Sequence, residues 1–149
     1  MKLLGAIAML LTAANAMAET NNYSYSAKAE LIIGYIASKE TPHSLVSLEI
    51  FRTNYLGEIA LIESDQIHSN AIKVLNWSPA EETLADYSAT RSQDHAGITV
   101  TARSSVQGYA ASLAAAVADR YIKYRQDNPL LSINGYTFDV RLLEMPHEY

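Results

Sequence analysis

The side chains of this sequence that are best suited to proton transfer or metal binding are its four histidines, His43, His68, His95 and His147. No two of them lie three to five residues apart, so no helix or strand presents the paired imidazoles of a common zinc site. The sequence also contains no cysteine, which excludes thiol catalysis and thiolate metal sites. We therefore predict no metal ion and no other cofactor.

Two histidines with a nearby carboxylate, His68 and His95, are candidates for catalysis. Asp65 and His68 are spaced to share one helical face, as a base and the group that orients it would be. An aspartate in a first helical turn also stabilises the helix dipole, which would leave His68 an ordinary surface residue. Asp94 and His95 are adjacent in a polar loop, a common location for functional residues. No phosphate-binding, dinucleotide-binding or serine-hydrolase motif accompanies either pair. A small hydrolase is therefore only an alternative, and we predict no catalytic residue.

Tyrosine is unusually frequent, with ten residues against two phenylalanines and one tryptophan. Tyrosine and tryptophan favour protein interfaces because they bury a large ring and retain a polar group. Tyr23, Tyr25 and Trp77 do not fall on the predicted core stripes, and we predict that they contact a partner. Two alternatives are rings that stack on a glycan or other small ligand, and rings that cover the edge of the core.

The N-terminal residues predict export from the cytoplasm. Lys2 precedes an apolar run over 3–11 and the small residues of Ala16-Met17-Ala18, which is the pattern of a signal peptide. The run is shorter than the roughly 20 residues of a membrane-spanning helix. We predict a signal peptide at 1–18, cleaved after Ala18, and a single domain at 19–149. The absence of cysteine favours a bacterial periplasm over other secreted locations.

The charge of the chain limits the classes of partner. The chain has eleven lysines and arginines and sixteen acidic residues, which gives a net charge of −5, and the basic residues are dispersed along the sequence. Nucleic-acid binding requires a basic surface that displaces counterions from phosphates, so we predict no nucleic-acid partner. We expect no stable membrane insertion after signal cleavage. A non-enzymatic protein that binds another periplasmic protein, as an accessory factor of an envelope assembly or as an inhibitor, is the leading hypothesis.

Hydrophobic periodicity predicts an α+β fold, with a mainly antiparallel sheet of roughly five strands and about three helices on one face. The segment 21–26 is expected to be a loose entry, and Asn54–Gly57 a turn. We predict strands at 30–38, 45–52, 58–63, 97–103 and around Asn134-Gly135, where a hairpin and a single bulged strand are both open. We predict helices at 65–77, from Ser78 to about Ala89, and from Ser104 to Asp127.

Two helix starts carry capping-box patterns, Ser78 with Glu81 and Ser104 with Gln107. The last helix should bury one stripe of side chains spaced three and four residues apart, and its alanines should allow close approach to the sheet. The stripe comprises Val106, Ala110, Leu113, Val117 and Tyr121.

Overall fold

The computed structural model describes residues 22–37, 53–133 and 135–149. The predicted signal peptide at 1–18 and the predicted strand at 45–52 lie outside the described residues. The elements, in chain order, are β1 Tyr25–Ala37, α1 Tyr55–Ile62, α2 Asp65–Leu75, α3 Pro79–Glu82, β2 Ala85–Arg91, β3 Gly97–Ser104, α4 Tyr109–Asp127 and β4 Tyr136–Glu144.

The four described strands form one antiparallel sheet in the order β2-β3-β1-β4. The predicted α+β class with an antiparallel sheet is therefore confirmed, although the described residues contain four strands and four helices rather than about five and three. β1 occupies the central position that its apolar sequence indicates. It pairs with β3 over 25–32 and with β4 over 30–37. Since β1 begins at Tyr25, the loose entry expected as far as Ser26 is wrong in its last two residues.

One face of the sheet carries the core. The helix α4 packs across β1, β2 and β3, and α2 packs on α4. Alanines on both sides of the contact allow the helix axis to come close to the sheet. Four residues of the predicted stripe are fully buried in α4, namely Ala110, Leu113, Val117 and Tyr121.

The segment after residue 53 is helical where the sequence predicts a turn and a strand. The Asn54 side chain accepts the backbone N–H of Gly57 at 3.0 Å and caps α1. The predicted turn at 54–57 and strand at 58–63 are therefore wrong. The four-residue apolar run at 59–62 fits both periods, and here the buried pair Glu58 and Ile62 shows the four-residue spacing of a helix.

The Ser78 cap is confirmed, but its helix is short. Ser78 and Glu81 form the capping box, and the hydrogen bonds from Ser78 hold the pKa of Glu81 below its usual value. The helix predicted to reach Ala89 ends at Glu82, because Ala85–Arg91 pairs with β3 along its whole length. Tertiary pairing therefore overrides the local helical signal in this segment.

The second predicted capping box is wrong. Ser104 ends β3, and its Oγ donates to the carbonyl of Leu84 and accepts the Val106 N–H. Gly108, at φ 84°, precedes α4 instead. Its N–H donates to both carboxylate oxygens of Glu148, at 2.8 and 2.9 Å. A residue forty positions away thus supplies the negative charge at this helix start.

The chain reverses direction between Ile133 and Tyr136, at the dipeptide that predicted a hairpin. Ile133 and Tyr136 exchange two backbone hydrogen bonds of 2.9 Å, and Gly135 has φ 82°. Asn134 lies outside the described residues. The tight turn of the hairpin alternative therefore forms, but its first arm consists of the isolated bridge at Ile133 rather than a strand.

Candidate functional site

The most buried polar cluster joins α1 to α4. Arg125 donates from Nη2 to Glu58 Oε1 at 2.6 Å and from Nε to Glu58 Oε2 at 2.9 Å. The Tyr121 hydroxyl donates to the same Oε2 at 2.5 Å. Tyr121 is fully buried, and the side chains of Glu58 and Arg125 are 5% and 15% exposed.

The electrostatics of this cluster suit a fixed structural contact. Burial, followed by the hydrogen bond to Glu58, raises the pKa of the Tyr121 hydroxyl well above its usual range. Burial lowers the pKa of Arg125, but the hydrogen bond and charge of Glu58 outweigh it and raise the value. Both oxygens of the carboxylate are occupied, so the cluster fixes α1 against α4 rather than presenting a reactive group. The sequence gives no signal for it, because Glu58 and Arg125 are distant along the chain.

The first predicted histidine pair lies beside an open cleft. The cleft has a volume of about 360 Å³ and is lined by Glu63, Asp65, His68, Ala85, Asp86 and Tyr87. The carboxylate that pairs with His68 is Glu82, whose Oε1 lies 2.7 Å from Nε2, rather than Asp65. The imidazole also stacks on Tyr87 with ring centroids 5.8 Å apart.

Two other polar groups of the cleft, Tyr87 and Glu63, have structural contacts. The Tyr87 hydroxyl donates to the carbonyl of Ile62 at 2.8 Å, and Glu63 accepts the Ala89 N–H at 2.7 Å. Burial, the charge of Glu63 and the charge of Asp65 raise the pKa of Tyr87 to about 12. Tyr87 is therefore a neutral hydrogen-bond donor near neutral pH. The cleft offers an aromatic wall and carboxylates, which suit a small polar or cationic ligand.

The second predicted histidine lies at the tip of the β2–β3 hairpin. His95 Nε2 is 3.2 Å from the carbonyl of Leu31 and 3.8 Å from Glu30 Oε2. Since a carbonyl only accepts, Nε2 carries the proton, and in the neutral ring Nδ1 accepts from the Ser92 hydroxyl at 3.0 Å. Asp94 contributes its backbone N–H to Ser92 Oγ.

The order serine, imidazole, carboxylate resembles the groups of a nucleophilic site. Here, however, the imidazole proton is directed at a backbone carbonyl of β1. The neighbouring Gly97 approaches so closely that an added Cβ would lie 1.8 Å from the Leu31 oxygen. His95 therefore holds the hairpin tip against β1, and Asp94 and His95 do not converge as a side-chain pair.

The three predicted interaction residues lie towards one end of the sheet and are half-buried. Tyr25 packs against the core and pairs with Ser104 at the end of β3. Trp77 stacks on Tyr109, at the start of α4, with ring centroids 4.6 Å apart. Tyr23 lies just before β1. Much of the ring area of Tyr25 and Trp77 is thus used in packing, and binding by the three residues stays a prediction.

The face of the sheet opposite α4 is contacted by none of the four described helices, and we call it the open face. Ile32 and Ile36 lie on it and are 40% and 46% exposed. Gly34 lies between them, and an added Cβ there would meet no described atom within 4 Å. The strand β4 places Arg141 and Asp139 beside Ile32 and Gly34. The result is a shallow apolar groove with charged side chains along one side.

The residues of β1 that precede Ile32 contain a sequence signal for the exposure of this face. Even-numbered residues of β1 share one face, so Ile32 lies on the same side as Lys28 and Glu30. Polar residues at those two positions mark the face as exposed. Only the register with β3 and β4 shows that Ile32, Gly34 and Ile36 extend it.

Three further observations limit the kinds of site in the described residues. No group of three or more histidine or acidic side chains there is arranged to hold a metal ion. None of the helices over these residues combines the length and apolarity needed to cross a bilayer. Comparison of the sequence with models of known families, with curated proteins and with solved structures finds no match.

Proposed function

We propose that this is an exported, non-enzymatic protein that acts by binding another protein of the periplasm. The observation that supports the proposal is the exposed groove of Ile32, Gly34 and Ile36 on the open face. Exposed apolar side chains that are contiguous and flanked by charges are typical of binding surfaces. An accessory factor of an envelope assembly and an inhibitor of an enzyme both fit this mode of action.

The groove favours a partner that presents a branched or aromatic side chain. Such a side chain would fill the space above Gly34 and contact Ile32 and Ile36 on either side. Asp139 and Arg141 would then lie at the rim, where polar groups orient a partner without being deeply buried. The predicted signal peptide at 1–18 supports a periplasmic location, and the mature chain is expected to begin at Glu19.

The proposal is tested by site-specific crosslinking in the native host. A tag inserted directly after residue 19 avoids the C-terminus, where Tyr149 pairs with Ser26. Replacing Ile32 with a photo-crosslinking amino acid should yield one discrete adduct with another periplasmic protein. The control position is Val74 on α2, which is 53% exposed and distant from the open face. Equal labelling from both positions, or none from Ile32, would reject the groove as the binding site.

Filling the groove provides a second measurement. Gly34→Val places a side chain where no described atom lies within 4 Å of the added Cβ, so the melting temperature should change little, and the adduct from Ile32 should disappear. The same strain reports on export, because mass spectrometry of the purified protein gives its first residue. A protein that retains Met1 and stays in the cytoplasm would contradict the proposed location.

A small-ligand or glycan-binding module is the second candidate, and the cleft beside His68 and Tyr87 favours it. A ligand in this cleft should raise the melting temperature of the wild-type protein. His68→Ala and Tyr87→Phe should both reduce that shift, while Ile32→Lys on the open face should not. A shift that none of the three changes would place the ligand elsewhere.

A further inference from the structure

The outer edge of β4 carries backbone groups whose directions follow from the sheet register. The Ile33 N–H donates to the carbonyl of Ala96, and Ser26 exchanges two hydrogen bonds with Tyr149. Odd-numbered residues of β1 therefore bond towards β3 and even-numbered ones towards β4. Ile32 is paired with Arg141, so Arg141 bonds to β1. Alternation then directs the N–H and C=O of Phe138, Val140 and Leu142 away from the sheet.

These outward groups have no hydrogen-bond partner among the described residues. At the start of β4 the outward groups of Tyr136 are bonded to Ile133. At the opposite edge of the sheet, Glu63 accepts the outward N–H of Ala89. Within the described part of the chain, the edge from Phe138 to Leu142 has no such protection, and an unprotected strand edge is a template for pairing with another strand.

We propose that this edge pairs with the same edge of a second copy of the chain, antiparallel, across a two-fold axis at Val140. Val140 then exchanges two hydrogen bonds with the partner's Val140, and Phe138 and Leu142 exchange two each with the partner's Leu142 and the partner's Phe138. The pairing ends at Phe138, because the backbone N–H and C=O of Tyr136 are already hydrogen-bonded to Ile133. The described four-stranded sheets of the two copies then become one continuous antiparallel sheet.

Charge complementarity selects this register. In it, Asp139 lies directly opposite the partner's Arg141, and Arg141 opposite the partner's Asp139. The two adjacent registers that keep outward groups paired would place Asp139 opposite the partner's Asp139, or Arg141 opposite the partner's Arg141. Opposite charges stabilise directly facing positions and like charges destabilise them. Within one chain Arg141 Nε already donates to Asp139, so both side chains lie on the same face.

The apolar side chains agree with the same arrangement. Phe138, Val140 and Leu142 are half-buried and pack against the core on the helix-bearing face. Across the axis they would face the partner's Leu142, the partner's Val140 and the partner's Phe138. Dimerisation therefore extends the core of each copy beneath the new strand pair.

Sedimentation velocity over a concentration series tests the pairing. The wild-type protein, expressed with its signal peptide removed, should shift from monomer to dimer as its concentration rises. Asp139→Arg and Arg141→Asp each create two facing pairs of like charge, and each should weaken self-association roughly 10- to 100-fold. An equimolar mixture of the two variants restores opposite charges at both positions, so native mass spectrometry should show mainly heterodimers.

A backbone change tests the hydrogen bonds independently. Val140→Pro removes an outward N–H that bonds to nothing else described, so the monomer should still melt cooperatively while the dimer is lost. Arg141→Pro removes an N–H bonded to β1 and should instead unfold the protein. A wild-type protein that stays monomeric up to several hundred micromolar would overturn the proposal. A dimer that survives Val140→Pro and both charge variants would overturn it as well.

The inference does not depend on the proposed function. Self-association is measured on the purified chain alone, whereas the groove is tested by an adduct with a different protein. An adduct whose mass is twice that of the chain would report the dimer rather than a partner. If the dimer is not observed, the crosslinking experiment still tests the groove, and if no adduct forms, sedimentation still tests the dimer.

Discussion

Glu58→Gln is the substitution whose effect the structure predicts most sharply. The change preserves the size of the side chain but removes the charge that both Arg125 and Tyr121 contact. The Arg125 guanidinium, 15% exposed, would remain largely buried without a counter-charge. Because desolvating an unpaired charge is costly, removing one partner of a buried ion pair typically destabilises a protein by about 3–5 kcal/mol.

The expected loss for Glu58→Gln is at the lower end, about 3 kcal/mol, because the amide can still accept one hydrogen bond. For a domain of this size that loss lowers the melting temperature by roughly 10 °C. It is a large fraction of a typical unfolding free energy of about 5–15 kcal/mol. Urea denaturation followed by circular dichroism gives the free energy, and calorimetry gives the melting temperature.

Two further variants separate burial from charge. Asp127→Asn breaks the exposed pair with Lys123, at 3.4 Å, and should cost less than about 0.5 kcal/mol. Replacing Glu58, Tyr121 and Arg125 together by leucine, phenylalanine and methionine should recover most of the stability lost in Glu58→Gln, because no buried charge remains unpaired. If Glu58→Gln melted within about 2 °C of the wild type, or if Asp127→Asn cost as much, the reasoning from burial would be refuted.

Three other perturbations have defined outcomes. Leu113→Asp places a charge at a fully buried position of α4 and should abolish cooperative folding. Ser112→Asp, on the exposed side of the same helix, should melt like the wild type. Equal melting of the two variants would contradict the burial of the apolar stripe. The pKa of Tyr87 is raised to about 12 from an unfolded value near 10, so its contribution to stability is present below pH 10 and is lost as pH rises towards 12. Tyr87→Phe should therefore reduce the slope of stability against pH in that window, and an unchanged slope would count against the burial of its hydroxyl. His95→Ala removes two hydrogen bonds at the hairpin tip and should cost about 1–3 kcal/mol in urea denaturation, a loss that a merely solvated histidine would not show.

The elements that were predicted from the sequence are those whose signals are local and long. The helix from Asp65, the end of α4 at Asp127 and the alternation of β3 each follow from periodicity over several residues together with cap or breaker residues. The Ser78 capping box is also confirmed. Both of its hydrogen bonds join Ser78 and Glu81, so the signal lies within one short segment of sequence.

Two of the errors involve a partner that is distant in the sequence. The segment predicted as a strand at 58–63 instead forms a helix that buries Glu58, and the guanidinium that binds this carboxylate belongs to Arg125, sixty-seven positions away. The segment after Glu82 becomes β2 because β3 offers it a complete ladder of hydrogen bonds. In each case a distant segment supplies the decisive partner, and periodicity within one segment contains no information about that partner.

The same distinction applies to the candidate sites. The sequence placed Asp65 and His68 on one helix, but the carboxylate that reaches the imidazole is Glu82. It also identified the loop of Asp94 and His95, while the contact that explains His95 is the carbonyl of Leu31 in another strand. The geometry of one helix or loop determines which nearby side chains share a face. The hydrogen-bond partners of those side chains depend on how separate strands and helices pack together.

The sequence by itself determined the α+β class, the net negative charge, the absence of thiol chemistry and the apolar stripe of α4, because composition and periodicity are properties of the chain alone. Only the tertiary structure decided that Glu58 is buried, that Ile32 and Ile36 line the groove on the open face, and that Val140 lies on a strand edge that no other described element pairs with. Burial and edge exposure depend on the order in which strands assemble, and that order is fixed by contacts between residues far apart in the chain.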